Sequence, residues 1–536
     1  MKLKIVFLII IFFITGCDAA RQIYDMINIQ EEIEVEYEEE DTELDEYEEE
    51  RRMGLGGTLH LSMRQPLTLN PILNEDITVD KILKLIFEPL FILDEQKKPI
   101  PNIADSIIFS SNGLAAVITL RSDVFWNDGT PISTRDVTFT IEEIRGASEN
   151  IIYKKNVSNI MDFTRISDKE LRINFRSVSS DMKYMLCFPI IPEHYYRGHM
   201  SLSSLRNMEP LGNGAYKFVS YKPVTEVRLT ANNMSFKNEP HIKDITVIVT
   251  NNRETDLQAF EQGVIDIITA DLSDWAKYSG RKTINTIEFV SKYFDFIGFN
   301  FNNELFADNR VRAPITRCID INEVVLNIYM GHAVTAHTPV SPASWLFERD
   351  TRLFSFDLNE ARIVFEWLPV PDGFEGIKIL VNAENDERIK LAEILSANLN
   401  SAGLYSKVEA ENFDVFIERV ENSDFDILIA GLHLSVNPDF NFLFHSSGNM
   451  FNYKDETMDA LLYGLSNAFN EEDFLMQASL LQKYIVDESV CIGIAFRKHA
   501  MLLDSRVQGE IKPVINNMFA NVYEWFIKGG QNEPKQ

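Results

Sequence analysis

The sequence predicts an α/β fold with mixed sheets, and three observations predict it. Strand patterns and helical patterns alternate over hundreds of residues. From about Gly56 the composition is globular, with aromatic and branched residues between turns. The roughly 480 residues beyond that point exceed one ordinary core, so two or three lobes are expected. No internal repeat is evident.

The elements follow in order. "GGTLHLSM" opens with turn glycines and alternates Leu59, Leu61 and Met63, a strand pattern. "TVDKILKLIFEPLFIL" has apolar residues at helical spacing, and Pro89 is expected to stop that helix. "AAVITLRSDVFW", "ELRINFRS" and "EVRLTANN" read as strands, and "ITVIVTNN" and "FDFIGFNF" as buried strands. Between and after them lie helical stretches such as "ETDLQAFEQG", "ERIKLAEILSANLNSAG" and "EEDFLMQASLLQKYIVDE".

The N-terminus has a different character. Lys2 and Lys4 precede the uncharged apolar run Ile5–Ile14, which is too short for a permanent membrane span and reads as an export signal. Ile14-Thr15-Gly16-Cys17 resembles the bacterial lipobox, so Cys17 is the expected lipidation site, anchoring the chain on the extracytoplasmic face of the cell membrane. An ordinary signal peptide with an incidental cysteine is the alternative. Residues 31–50 then carry fourteen acids and no base. Such a block repels itself and cannot bury a core, so residues 18–56 are expected to form a disordered tether reaching at most about 130 Å. A cation-collecting or partner-binding tail is the rival.

The formal charge is −30, and the body stays acidic without the tether, which argues against a nucleic-acid partner. Cys187, Cys318 and Cys491 are odd in number and widely spaced, suggesting neither a disulfide framework nor a metal site. HExxH, GxSxG, a Walker loop and a strand-borne GxGxxG are all missing, and the nine histidines show no metal-ligand spacing. His194 and His199 look like a loop face. No catalytic residue, metal or cofactor is expected, and no enzyme.

"FWNDGTPISTRDVTFTIEEI", Phe125 to Ile144, carries two aspartates that look chemical. Asp128-Gly129-Thr130-Pro131 is turn chemistry. Ser133-Thr134-Arg135-Asp136 fits a capping box, with Ile132 and Val137 placed as a hydrophobic staple. Both carboxylates thus have structural work. The same stretch resembles the central motif of the extracytoplasmic solute-binding proteins of peptide/nickel-type ABC importers. "LNPILNEDITVDKILKLIFEPL", "FPIIPEHY", "PLGNGAYKFVSY", "FEQGVIDI", "FADNRVRAPITRCIDINEVV", "FDLNEARIVFEWL" and "NNMFANVYEW" resemble further family segments in the family's order, the last of them its C-terminal strand. Pro314 stands where the family usually has alanine.

The resemblance covers about 57–527 and implies the two-lobed periplasmic-binding-protein fold (class II, large type) with an extra N-terminal subdomain. Lobe I would comprise 57–91, 209–300 and 504–530, the subdomain 92–208, and lobe II 301–503. It implies no covalent chemistry. A solute, first of all an oligopeptide, would sit between the lobes, and a monomer would deliver it to permease subunits with their ATPases. Ile77 and Thr78 match positions lining the cleft in lobe I, and Asn517 and Phe519 match the C-terminal strand near the cleft mouth. In lobe II, peptide-binding members carry a glycine, a tryptophan and an aspartate that pairs with the peptide amine. Here Gly431 keeps the glycine, Leu432 replaces the tryptophan and Ser435 stands at the aspartate position. A shift of one or two residues would bring Asn437 or Asp439 there instead. His433 would face the same region, or make a structural hydrogen bond. With Ser435 in place no fixed carboxylate awaits an ammonium, which would suit a modified peptide, an oligosaccharide or a metal complex. A surface hydrolase or chaperone on the same fold is the reading from another class.

Overall fold

The computed structural model describes residues 56–270, 272–278, 280–368 and 374–529. The export signal, Cys17 and the acidic block lie outside the described residues. None of the described helices is long and apolar enough to cross a membrane.

Each lobe has a main sheet, and the second lobe's seven-stranded sheet reaches into the first lobe through Ile267–Ala270 and two long strands. In the first, Thr58–Met63 pairs in parallel with Asp244–Val249, which continues antiparallel through Glu226–Ala231 to Tyr216–Lys222. A second four-stranded sheet, Ala104–Phe109, Ala115–Leu120, Glu170–Phe175 and Ile160–Arg165, forms the extra subdomain. Its core runs without a break into that of the first lobe, through Trp126, Tyr196 and Tyr216. In the second lobe Ile377–Asn382 lies parallel to both Ser406–Glu411 and Ile427–His433. Ile427 and Ile429 face one apolar cluster while Leu428 and Ala430 face another. Burial on both faces explains why "DILIAGL" is continuously apolar instead of alternating.

Two long strands, Ile284–Phe299 and Cys491–Asp504, join the lobes. Their first-lobe halves pair from Ile284↔Asp504 to Val290↔Lys498, and their second-lobe halves resume at Phe294↔Phe496. Three residues, Ser291 to Tyr293, therefore stand opposite Arg497 alone. An irregularity of this kind interrupts the ladder and bends the strand, and here it falls where the chain passes between lobes.

The "FWNDGTPISTRDVTFTIEEI" segment is structural. The Asp136 carboxylate accepts from the Ser133 amide at 2.9 Å, completing the capping box of helix Thr134–Gly146, while the Ser133 hydroxyl accepts from the Arg135 amide at 3.2 Å. The other Asp136 oxygen accepts from the Glu193 amide at 2.9 Å, tying in a second helix start. Burial raises the Asp136 carboxyl above its ordinary range despite these donors. Ile132 and Val137 are fully buried, as a staple requires. Asp128 accepts from the Thr130 amide at 2.9 Å and meets His194 Nε2 at 2.7 Å.

Two expectations need correction. The helix thought to run to Pro89 spans only Ile77–Leu83. Beyond it, the Leu85 carbonyl accepts from the Tyr216 amide at 2.9 Å, and the Ile86 carbonyl from the Asn213 and Gly214 amides at 2.9 and 2.8 Å. A tertiary contact claims the carbonyls that a longer helix would use. A Cβ on Gly214 would lie 2.5 Å from the Leu85 oxygen, and one on Gly212 would overlap the Ile86 oxygen, so "PLGNGAY" needs both glycines. The expected C-terminal strand around Asn517 and Phe519 is instead a turn, closed by reciprocal Val514–Asn517 backbone bonds of 3.0 and 2.8 Å. The strand begins only at Trp525.

Candidate functional site

The sites predicted in the first lobe fall on two sides of helix Ile77–Leu83. Asp76 caps it, accepting from the Thr78 amide at 2.6 Å and the Val79 amide at 3.2 Å. The Thr78 hydroxyl donates to the same oxygen at 2.6 Å and accepts from the Arg64 amide at 3.0 Å. Thr78 and Phe519 thereby line one recess of about 250 Å³, together with Arg64, Lys81, Arg253 and Met518. All residues lining that recess belong to the first lobe. Ile77 is 68% exposed at the start of the helix. Asn517 lies in a different recess, with Lys84, Tyr153 and Lys237, towards the extra subdomain. Its Oδ1 accepts from the Phe519 amide at 3.0 Å.

In the second lobe, Gly431 and His433 occupy the end of strand Ile427–His433, opposite Asp295 and Tyr293. The fully buried Asp295 holds a network. Its carboxylate accepts from Arg388 Nε at 2.9 Å, Arg497 Nε at 2.6 Å and the Tyr329 hydroxyl at 3.0 Å. Arg497 also lies 3.6 Å from Glu387. Burial alone would lower the Arg497 guanidinium, and Asp295 outweighs it, holding the pKa above the ordinary value. Both guanidiniums stand over the Tyr293 ring, at 5.3 and 4.9 Å. His433 meets the same ring edge-on at 4.5 Å, and burial with the nearby Lys292 charge depresses its pKa. A Cβ at Gly431 would overlap Arg388, so this glycine has a structural reason of its own.

Ser435 is exposed and donates to Asn437 Oδ1, and Asn437 reaches Asp181 of the subdomain at 3.3 Å. Asp439 accepts from the Asn441 amide at 3.0 Å, at the start of the short helix Asn441–Phe444. The structure thus brings Thr78 together with Phe519 and Gly431 together with His433. It places Asn517 and the Ser435–Asn437 pair at the two borders of the subdomain.

Sequence reasoning missed Tyr293, Asp295, Arg388 and Arg497. One signal was available: an aspartate between Phe294 and Phe296 in a buried strand demands a partner. Also missed were Lys97 and Lys292. Lys97 is 8% exposed, donates to the Ser341 hydroxyl at 2.9 Å and lies 5.8 Å from the centre of the Phe496 ring. Burial, with Lys292 nearby, lowers its pKa to about 8. Lys292 sits in the strand irregularity between the lobes, its own pKa lowered by burial and by Lys84. No group of three or more potential metal ligands occurs among the described residues.

Residues 98–453 match the family described as bacterial extracellular solute-binding proteins, family 5 Middle. The chain belongs to that family. The Oligopeptide-binding protein AppA of Bacillus subtilis (strain 168) is 22% identical to this family 5 protein over 506 residues, covering 88% of this chain and 92% of AppA. Among solved structures, the ABC transporter substrate binding protein CtaP from Listeria monocytogenes matches with a TM-score of 0.74 at 21% identity, over 88% of this chain and 100% of CtaP. NikZ from Campylobacter jejuni, solved in complex with Ni(L-His), matches with a TM-score of 0.63 at 23% identity, over 88% of this chain and 99% of NikZ. At these identities the likeness speaks for the fold, which is the two-lobed fold of family 5.

Proposed function

We propose that this family 5 protein is the solute-capturing component of an ABC importer, held outside the membrane by a lipid on Cys17. It takes an oligopeptide or related solute between its lobes and passes it to permease subunits served by ATPases. It works as a monomer. Its moving parts are the lobes drawn from the sequence, 57–91 with 209–300 and 504–530 against 301–503, with 92–208 as the subdomain, except that the boundary on the two crossing strands is taken at Ser291–Tyr293 and Arg497 rather than at 300 and 503.

One observation carries this reading. Two strands cross between the lobes and lose their mutual pairing at Ser291–Tyr293, and a first-lobe recess has no second-lobe wall. A broken ladder at the crossing is a place for a hinge, and closure would supply the missing wall. Ligand contacts made only in the closed form would drive that closure. Ile77, Thr78, Asn517 and Phe519 contribute from the first lobe, and Gly431, His433, Ser435 and Asn437 from the second.

A non-peptide solute is the second reading, favoured by Ser435 at the place where an acid would hold a peptide amine. Family members differ in what their names and titles say they hold, oligopeptides for AppA and Ni(L-His) for NikZ. The test is thermal melting of the purified protein with mixed peptides and with a cell extract. A raised melting temperature with either supports solute capture; no change with both contradicts it. Native mass spectrometry of the complex then separates the two readings by ligand mass.

A further inference from the structure

The main sheet of the first lobe ends in a strand with a free edge. Tyr216–Lys222 is the last strand in the order, and among the described residues no strand lies on its outer side. The Tyr216 amide donates to the Leu85 carbonyl at 2.9 Å. Among the described residues, the backbone from Lys217 to Tyr221 bonds to strand Glu226–Ala231 alone. Free edges are templates for another strand, and proteins guard them with lysines and bulges. Both guards are present, as Lys217, Lys222 and the register shift at Val219. Neither fills the groove of about 560 Å³ beside this edge.

The two faces of the edge differ. Phe218 and Tyr221 stand opposite the buried Leu229 and Val227. With Tyr195 and Met208 they line the groove and pack against the first-lobe core. Val219, at the shift, is 54% exposed in the same groove. The outer face carries Lys217, Lys222 and Arg228 against one acid, Glu226, which Lys222 and Arg228 each meet at 2.8 Å. Lys217 pairs with no carboxylate among the described residues. Glu209 is the one acid lining the groove. A fitting occupant is a strand with apolar side chains on one face and acids on the other.

The chain itself holds such a segment, outside the described residues. In residues 32–38, Ile33, Val35 and Tyr37 alternate with Glu32, Glu34, Glu36 and Glu38. Branched and aromatic residues at alternate positions suit a strand, and on an existing edge a strand needs no core of its own. The described chain also begins in the right place. The Gly56 amide donates to the His241 carbonyl at 2.8 Å, and the next carbonyl, Ile242, accepts from the Tyr216 hydroxyl at 3.0 Å. The tether therefore joins the body beside the first residue of the edge strand. Residues 39–55 can span roughly 55 Å, and a seven-residue strand is only about 20 Å long.

We propose that residues 32–38 add as a fifth strand to the free edge of Tyr216–Lys222. Ile33, Val35 and Tyr37 cover the groove, and the glutamates lie along Lys217, Lys222 and Arg228. This goes beyond the solute-capture reading and does not depend on it. With a lipid on Cys17, docking shortens the free tether to residues 18–31, at most about 50 Å, and turns this edge towards the membrane.

Hydrogen exchange of the full chain tests this, on the wild type and on the triple variant I33S/V35S/Y37S, with melting curves to confirm that both are folded. The expected result is exchange of the Lys217–Tyr221 amides about tenfold or more faster in the variant, while the interior strand Asp244–Val249 is unchanged. Equal exchange in the two proteins, or a rise shared by both strands, overturns the proposal. Protection that falls on dilution, with a dimer seen by light scattering, also overturns it and assigns the edge to a second copy of the chain.

Discussion

Arg388 reaches Asp295 across the bare backbone of Gly431. A Cβ at that position would overlap the guanidinium and stand 2.5 Å from the Asp295 carboxylate. Replacing Gly431 with alanine should push Arg388 off a buried acid, destabilising the fold by roughly 2–4 kcal/mol. Arg388→Met should cost a similar amount. The double variant should cost at least about 1 kcal/mol less than the sum, because both changes break one contact. Urea unfolding of the four proteins reads this directly.

The two aspartates of "FWNDGTPISTRDVTFTIEEI" should separate in a stability measurement. Asp136→Ala removes a capping-box acid and the acceptor of the Glu193 amide, and should cost roughly 1–3 kcal/mol. Asp128 is half-exposed and pairs with an exposed His194, so Asp128→Ala should cost under about 1 kcal/mol. Solute affinity in the Asp128 variant should stay at the wild-type value, since neither acid belongs to the proposed cleft.

Gly214→Ala should destabilise by about 1–3 kcal/mol, because the Leu85 and Ile86 backbone would have to retreat. Gly146 sits at a helix end, where an added Cβ would meet nothing within 4 Å, and is the control. Its alanine variant should melt within a few degrees of wild type.

The pH behaviour of Lys97 has a definite sign. Its folded pKa is about 8, against 10.5 for an ordinary lysine. Between those values the unfolded chain holds more protons, so this group adds stability as pH rises from about 8 to 10.5. The Leu434 amide, bonded to the Lys292 carbonyl, sets Lys292 beside His433, and the Lys84–Asp80 pair lies at the end of helix Ile77–Leu83. Urea unfolding at about pH 8 and about pH 10 checks this, and K97M should flatten the profile.

The fold was readable because its signals are local. Capping residues at Ser133 and Asp136, the alternation in "ELRINFRS" and the helical pattern of "ERIKLAEILSANLNSAG" are properties of short stretches. The overlong helix and the missing C-terminal strand failed for one reason. Gly214 and Tyr216 bond to the Leu85 and Ile86 carbonyls from far along the chain, and Val514 and Asn517 close on each other as a turn. Neither contact leaves a periodic trace. The candidate site was less readable still. Lys97 lies in a surface-looking turn, "DEQKK", yet is buried with its ammonium on Ser341, and Lys292 lies in a strand that only the fold sets beside His433. Asp295 inside "FDFIGFNF" was the exception, an acid whose burial could be read from its neighbours.

Small-angle X-ray scattering, recorded with melting curves on the same samples, tests the central claim most directly. The purified protein is measured alone and with a peptide digest or cell extract that raises its melting temperature. Solute capture between lobes joined at Ser291–Tyr293 predicts a smaller radius of gyration in the stabilised sample. A raised melting temperature with an unchanged radius of gyration would contradict closure around a solute.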